Sequence, residues 1–267
     1  MIDVTEFKNW LLINGSAKES VETHCQKVKT YFRQYETLTQ ENLNSFFTSK
    51  LEKWNGSSFN VYINAIKHYS SFIKMELEFP RYRKIETKVM QYATEKEFDE
   101  ILAKLPLLFN NYTKIRAMLI LMLETGCRPK EIKQLKREDF NFKEKNIIIK
   151  KTKTFVERQP PISDFLCKLL QDAFQQEAEI TNAFNLTPKG LSYIFRRINE
   201  CMGLKKKLSP YSMRRIYAHN MIAKGLKLTS LQVGMGHKNI TTTLGYLKVS
   251  DEEANEEIRK ILNKKRR

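Results

Sequence analysis

Glycine and proline are scarce, at nine and seven in 267 residues, so a collagen-like or low-complexity chain is excluded and a compact, helix-rich one is favoured. Cysteine is scarce too. Cys25, Cys127, Cys167 and Cys201 are scattered, with no CxxC pair and no His at zinc-ligand spacing, which reads as reduced structural thiols in a reducing compartment. No run of eighteen apolar residues occurs, so a membrane partner is not expected. The start MIDVTEFKNW lacks the basic and apolar blocks of a signal peptide, so the expected location is the cytoplasm, nucleoid-associated or in a host cell, with the nucleus left open. A Walker loop is missing, and GMG at 234–236 lacks both a preceding strand and the third glycine of a dinucleotide fingerprint. Neither a cofactor nor a metal is expected. Acidic residues are in deficit: 30 Asp and Glu face 47 Lys and Arg, a formal charge of +17 that calls for an anionic partner. Nucleic acid fits, because its affinity rests on neutralised phosphates.

What is present is a mainly α pattern with a small antiparallel β-sheet. Residues 1–78 carry apolar positions at three- and four-residue steps, Val4, Phe7, Trp10 and Leu11, then Val61, Ile63, Ile66, Tyr69, Phe72 and Ile73, with breaks at Asn14-Gly15 and Asn55-Gly56. Lys50, Lys53, Lys67 and Lys74 stud these helices and serve equally as solvated surface or as a face along a DNA backbone. Residues 79–92, FPRYRKIETKVMQY, have four basic residues and no sustained apolar period, as a linker would. Residues 93–267 form the second domain. Thr94 and Glu97 have the form of a capping box opening a helix that Pro106 is expected to end, and KIRAMLILMLE at 114–124 is apolar nearly all round, as a central core helix ending at Gly126 would be. Ile147 to Ile149 is the strand signal, with a hairpin to a second strand ending near Pro160; beyond Ser163 the chain reads helical, finishing in a tail helix from Asp251 to Arg267.

Four separated pieces carry chemistry: TGCRPKEIKQL at 125–135, KTKTFVERQPPI at 151–162, YSMRRIYAHNM at 211–221 and MGHKNITTTLGY at 235–246. Two arginines suit a phosphate, since each guanidinium presents a planar fork of donors and keeps its charge near neutrality. Glu131 lies three residues beyond Arg128 and so on the same helical face, where it is able to brace the guanidinium. In order and spacing the four pieces resemble the catalytic domain of the tyrosine recombinase and phage-type integrase family, with its Xer-like and viral members, over roughly residues 93–249. The helical part before them is similar to that family's core-binding, DNA-binding domain.

The resemblance implies a site-specific recombinase that cleaves and rejoins double-stranded DNA through a 3′-phosphotyrosyl intermediate, with four protomers on two synapsed sites and no cofactor. It implies Tyr246 as nucleophile, Arg128 and Arg214 on the scissile phosphate, Lys153 as general acid and His237 as a group that hydrogen-bonds phosphate and exchanges a proton near neutrality. Lys150 and Lys151 lie close enough for hairpin register to substitute one of them for Lys153. The family's HxxR box has Tyr211 where its His stands; a phenol donates a hydrogen bond but accepts a proton poorly, and Tyr211 also reads as plain packing. His24, His68 and His219 read as structural. A type IB topoisomerase or telomere resolvase uses a similar residue set, and a non-catalytic DNA-binding regulator of the same fold is the reading from a different class.

Overall fold

The computed structural model describes residues 3–84, 95–150, 157–203, 208–237, 240–244 and 259, with the side chains of 95, 96, 241 and 242 left aside. The chain divides into two compact units, Met1–Lys88 and Val89–Arg267.

Among the described residues the first unit has four helices, α1 (Thr5–Ile13), α2 (Lys18–Phe32), α3 (Gln40–Thr48) and α4 (Gly56–Phe72). Their starts follow local chemistry: the Thr39 hydroxyl accepts from the Asn42 amide at 3.2 Å, and Asn55 Oδ1 accepts from the Ser58 amide at 2.8 Å, each satisfying an orphan helix donor. The apolar stripes meet in two clusters, one on Phe7, Leu11, Val21 and Val28, the other on Tyr31, Leu43, Phe46, Phe59, Ile63 and Ile66. His24 and His68 lie ring to ring at 5.0 Å.

Residues 79–84, linker by composition, are fastened to this unit. Asn60 holds the Arg83 backbone on both sides, at 2.8 and 2.9 Å, and the Arg83 guanidinium donates to the Leu51 and Trp54 carbonyls at 2.7 and 3.2 Å. Composition shows the charge of such a segment but not the carbonyls waiting for it. Gly56 is required where the segment passes, because a Cβ there would sit 2.7 Å from the Lys84 carbonyl oxygen.

The second unit is built on α6 (Tyr112–Thr125), the apolar helix read from the sequence, whose residues from Ala117 to Met122 are all buried. Around it stand α5 (Glu95–Leu108), α8 (Asp164–Gln176) and α10 (Pro210–Ala223); α7 (Pro129–Gln134), α9 (Gly190–Met202), α11 (Leu228–Gly234) and α12 (Ile240–Leu244) complete the described helices. The capping box at Thr94 lies outside the described residues. Pro106 does not end α5, contrary to expectation: it sits in the last turn, where only one helical donor is lost, while buried Ile101 and Leu105 hold the turn against the core and the Phe109 amide still donates to Leu105 at 3.0 Å.

The small antiparallel sheet is present. β1 (Phe140–Asn141) pairs antiparallel with β2 (Asn146–Ile147), and among the described residues the expected second arm, towards Pro160, meets the first at the bridges Asn146 with Pro161 and Ile149 with Arg158. β1 was invisible in the sequence because two residues cannot show an alternation. Beyond it, Ser163 caps α8 through its hydroxyl, and residues 177–189 are a loop whose Asn182 side chain holds the Phe184 and Leu186 amides. The cysteines are free; Cys25, Cys127 and Cys167 are buried and Cys201 is exposed. Among the described residues no helix is long and apolar enough to cross a membrane. The expected tail helix lies outside the described residues apart from Arg259.

Candidate active site

Gly126 ends α6 in the left-handed region, at φ 58°, and a Cβ there would come within 2.3 Å of the Tyr217 ring, so both conformation and space select glycine. The reversal places Arg128 at the N-cap of α7 with Pro129 at its first position, where the missing proline amide is no loss. Glu131, buried in the first turn, accepts from the Arg128 backbone amide at 2.7 Å and from Arg128 Nη1 at 3.1 Å. The brace expected from the three-residue spacing is therefore in place, on both backbone and side chain. Arg128 Nη2 reaches across to the Gly236 carbonyl at 3.2 Å.

α10 begins with a reciprocal pair, Ser209 and Ser212 each accepting from the other's backbone amide, and with Pro210 in the first turn. Its inner face carries Met213, Arg214, Tyr217 and Ala218. Arg214 is fully buried at 0% exposure, a position that a guanidinium tolerates only when acceptors meet its charge. Its Nη1 donates to the Gly126 carbonyl; its Nη2 donates to the Met235 carbonyl at 2.6 Å and meets His237 Nε2 at 2.8 Å. Arginine has no acceptor, so Nε2 of His237 is the acceptor and the ring proton sits on Nδ1. Arg214 thus fixes the tautomer, and the Nδ1 proton donates to Thr243 Oγ1, 2.7 Å away. Sequence reading did not assign Thr243 a role, although it stands in the quoted ITTTLGY stretch.

Burial, followed by the charges of Arg214, Arg128 and Arg158, pushes the His237 pKa down to about 4. This corrects the expected proton exchange near neutrality: in this arrangement His237 is a neutral imidazole at pH 7. The sign of the linkage follows, because a native pKa below the unfolded value of 6.5 makes the unfolded chain the better proton binder between the two. Stability from this group is whole above pH 6.5 and is lost on the way down to pH 4, by an amount on the order of 3 kcal/mol. Urea unfolding at about pH 6.5 and about pH 4.5 checks it. The wild type should lose more stability over that interval than His237→Gln; parallel losses would reject the assignment.

A second residue that sequence reading missed is Arg158. It is buried, and its fork meets Glu131 end on, Nη1 to Oε1 at 2.8 Å and Nη2 to Oε2 at 2.7 Å. Burial alone would raise the Glu131 carboxyl, but the hydrogen bonds and charge of Arg158, with Arg128 behind them, hold it below its ordinary pKa. The available signal was its place two residues from Val156 and two from Pro160, on the same alternating face of a β-arm, and only the bridge to buried Ile149 shows that this face points inward.

Tyr211 is 59% exposed, at the second residue of α10 and one turn before Arg214, so the plain-packing alternative does not hold. Among the described residues its hydroxyl makes no hydrogen bond. Lys150, the possible stand-in for Lys153, is held by Asp139 at 2.7 Å and Glu138 at 3.2 Å. Lys153, Lys151 and Tyr246 lie outside the described residues.

Residues 91–253 match the model of the phage integrase family. The XerA tyrosine recombinase of Pyrococcus horikoshii is 26% identical over 96% of this chain and 92% of its own length. Among solved structures, the Tn1549 transposon integrase in complex with a circular intermediate DNA matches with a TM-score of 0.70 and 16% identity, over 98% of this chain and 100% of that one. A lambda integrase dimer bound to a core site matches with a TM-score of 0.71 and 14% identity, over 92% of this chain and 94% of that one. At those identities the structures speak for the fold. The chain belongs to the phage integrase family. Its activity is that of a tyrosine recombinase, acting in site-specific DNA recombination.

Proposed function

We propose that Arg128, Arg214 and His237 form the cradle of the scissile phosphate in duplex DNA, and that Tyr246 is the nucleophile. The observation that carries this reading is convergence: two guanidinium groups and a neutral imidazole, drawn from α7, α10 and the turn after α11, meet around Gly126 and the backbone of residues 235–237. Fixed donors of this kind stabilise charge that grows on the phosphoryl oxygens in the transition state. The Tyr246 phenol gives up its proton to water, and its oxygen forms a bond to phosphorus as the bond to the 5′ oxygen breaks. The products are a 3′-phosphotyrosyl ester and a 5′ hydroxyl, whose proton comes from Lys153. Attack by another 5′ hydroxyl reverses the step and rejoins the strand, so no external energy source is needed. A bound phosphate sets negative charge beside His237 and shifts its pKa upward from that of the DNA-free site.

The partner is double-stranded DNA, in keeping with the charge of +17, and the assembly is four protomers on two synapsed sites. The relatives above are recombinases and integrases, which favours strand exchange over topoisomerase or telomere-resolvase chemistry. The presence of Arg128, Lys153, Arg214, His237 and Tyr246 together speaks against a regulator that has lost its chemistry. The test uses a nicked duplex carrying the binding site, mapped by footprinting on DNA that flanks the gene. A covalent protein–DNA adduct is expected on a denaturing gel, with the nucleotide on the Tyr246 peptide by mass spectrometry. An adduct on another residue, or no adduct on a bound site, would overturn the assignment.

A further inference from the structure

We propose that Arg158 is a positioning residue for Arg128, acting through Glu131 to keep the charge of Arg128 available to the scissile phosphate. The inference rests on the reading above that Arg128 contacts that phosphate, and it concerns a residue without a role so far.

Each oxygen of Glu131 serves both arginines. Oε1 accepts from Arg128 Nη1 at 3.1 Å and from Arg158 Nη1 at 2.8 Å; Oε2 accepts from the Arg128 amide at 2.7 Å and from Arg158 Nη2 at 2.7 Å. Arg158 takes the end-on, bidentate geometry, the strongest that a carboxylate offers a guanidinium. Arg128 is left with a single, longer side-chain bond to the same carboxylate, and its Nη2 turns to Gly236. The charges point the same way. One carboxylate faces two guanidinium groups, so the trio carries a net positive charge instead of a neutral pair. With Arg158 removed, Glu131 has only Arg128 to neutralise it; the carboxylate is then drawn into a closed pair with Arg128, at the expense of the phosphate.

Arg158 is also built into place from both sides. Its backbone is bridged to Ile149, N to O at 3.2 Å and O to N at 2.9 Å. Gly236 lies against its guanidinium, where a Cβ would be 3.0 Å from Nη1, and the carbonyl of that same glycine is the acceptor for Arg128. The two arginines thus flank one glycine of the stretch that leads to His237.

A purely structural staple and a positioning residue differ in what they do to a substrate lacking phosphate charge. Adduct formation is therefore measured on the nicked duplex with either an ordinary phosphodiester or a methylphosphonate at the cleavage position, since a methylphosphonate is uncharged and keeps only one of the two non-bridging oxygens that the arginines share. Arg158→Met, which keeps much of the reach and loses the charge, should slow adduct formation on the phosphodiester by about 10–100-fold, the usual cost of losing an outer-shell partner. On the methylphosphonate the loss should be smaller than about threefold. Arg158→Lys, which restores the charge without the fork, should recover part of the phosphodiester rate.

Equal losses on both substrates in a folded variant, or an unchanged phosphodiester rate, overturn the proposal. Circular dichroism and melting temperature establish folding; if Arg158→Met does not fold, Arg158→Lys carries the same comparison, and a selective phosphodiester loss supports the proposal where an equal loss overturns it. A wild type that forms no adduct overturns the assignment of the chemistry itself, which is seen without any variant.

Discussion

Arg214→Lys should lower the rate of adduct formation by about 10²–10³-fold, the cost of losing one preorganised transition-state donor. The arginine is fully buried and its two terminal nitrogens serve three acceptors, the carbonyls of Gly126 and Met235 and the ring of His237. An ammonium on a shorter, flexible stem has neither the planar fork nor its reach. Some of the buried carbonyls would lose their donor, at about 1–3 kcal/mol each. Single-turnover cleavage at saturating DNA checks the rate, and urea unfolding separates it from stability. A variant that cleaves within about threefold of wild type would remove Arg214 from the chemistry.

Glu131→Gln should be among the most destabilising single changes in the second unit, at about 3–5 kcal/mol, because it strands a buried guanidinium beside a neutral amide. Arg158 is 8% exposed, and Glu131 supplies both acceptors for its fork while also holding the amide and side chain of Arg128. In a unit of this size that corresponds to a fall in melting temperature of about 10 °C or more. The pH dependence has a definite sign. A carboxyl whose native pKa is depressed contributes its full stability above its unfolded pKa and loses it as pH falls through the native one, so the gap between wild type and Glu131→Gln should close in acid. Differential scanning calorimetry across the acid range measures this; a gap constant with pH would contradict it.

Several elements were legible because one residue type at one position has one physical use. Gly126 after an apolar helix, Pro129 at a helix start and Glu131 three residues past Arg128 are local, and the structure shows all three in those places. Others escaped for reasons equally physical. Pro106 looked like a terminator, but tertiary packing of Ile101 and Leu105 outweighed one missing helical bond. Residues 79–84 looked like linker because the carbonyls that Arg83 binds belong to residues some thirty positions earlier. GMG at 234–236 was read only for its lack of a nucleotide fingerprint, yet the carbonyls of Met235 and Gly236 are acceptors for Arg214 and Arg128.

The sequence by itself determined the class of chemistry: the order of Arg128, Lys153, Arg214, His237 and Tyr246, the basic charge and the helical frame are all properties of residue identity and spacing. Only the tertiary structure decided the state of the groups. Whether His237 is neutral depends on burial and on guanidinium groups brought from other elements, and Glu131 is shared between Arg128 and Arg158, which lie far apart in the chain. Protonation and charge sharing are set by distances through space, and a chain written in one dimension does not contain them.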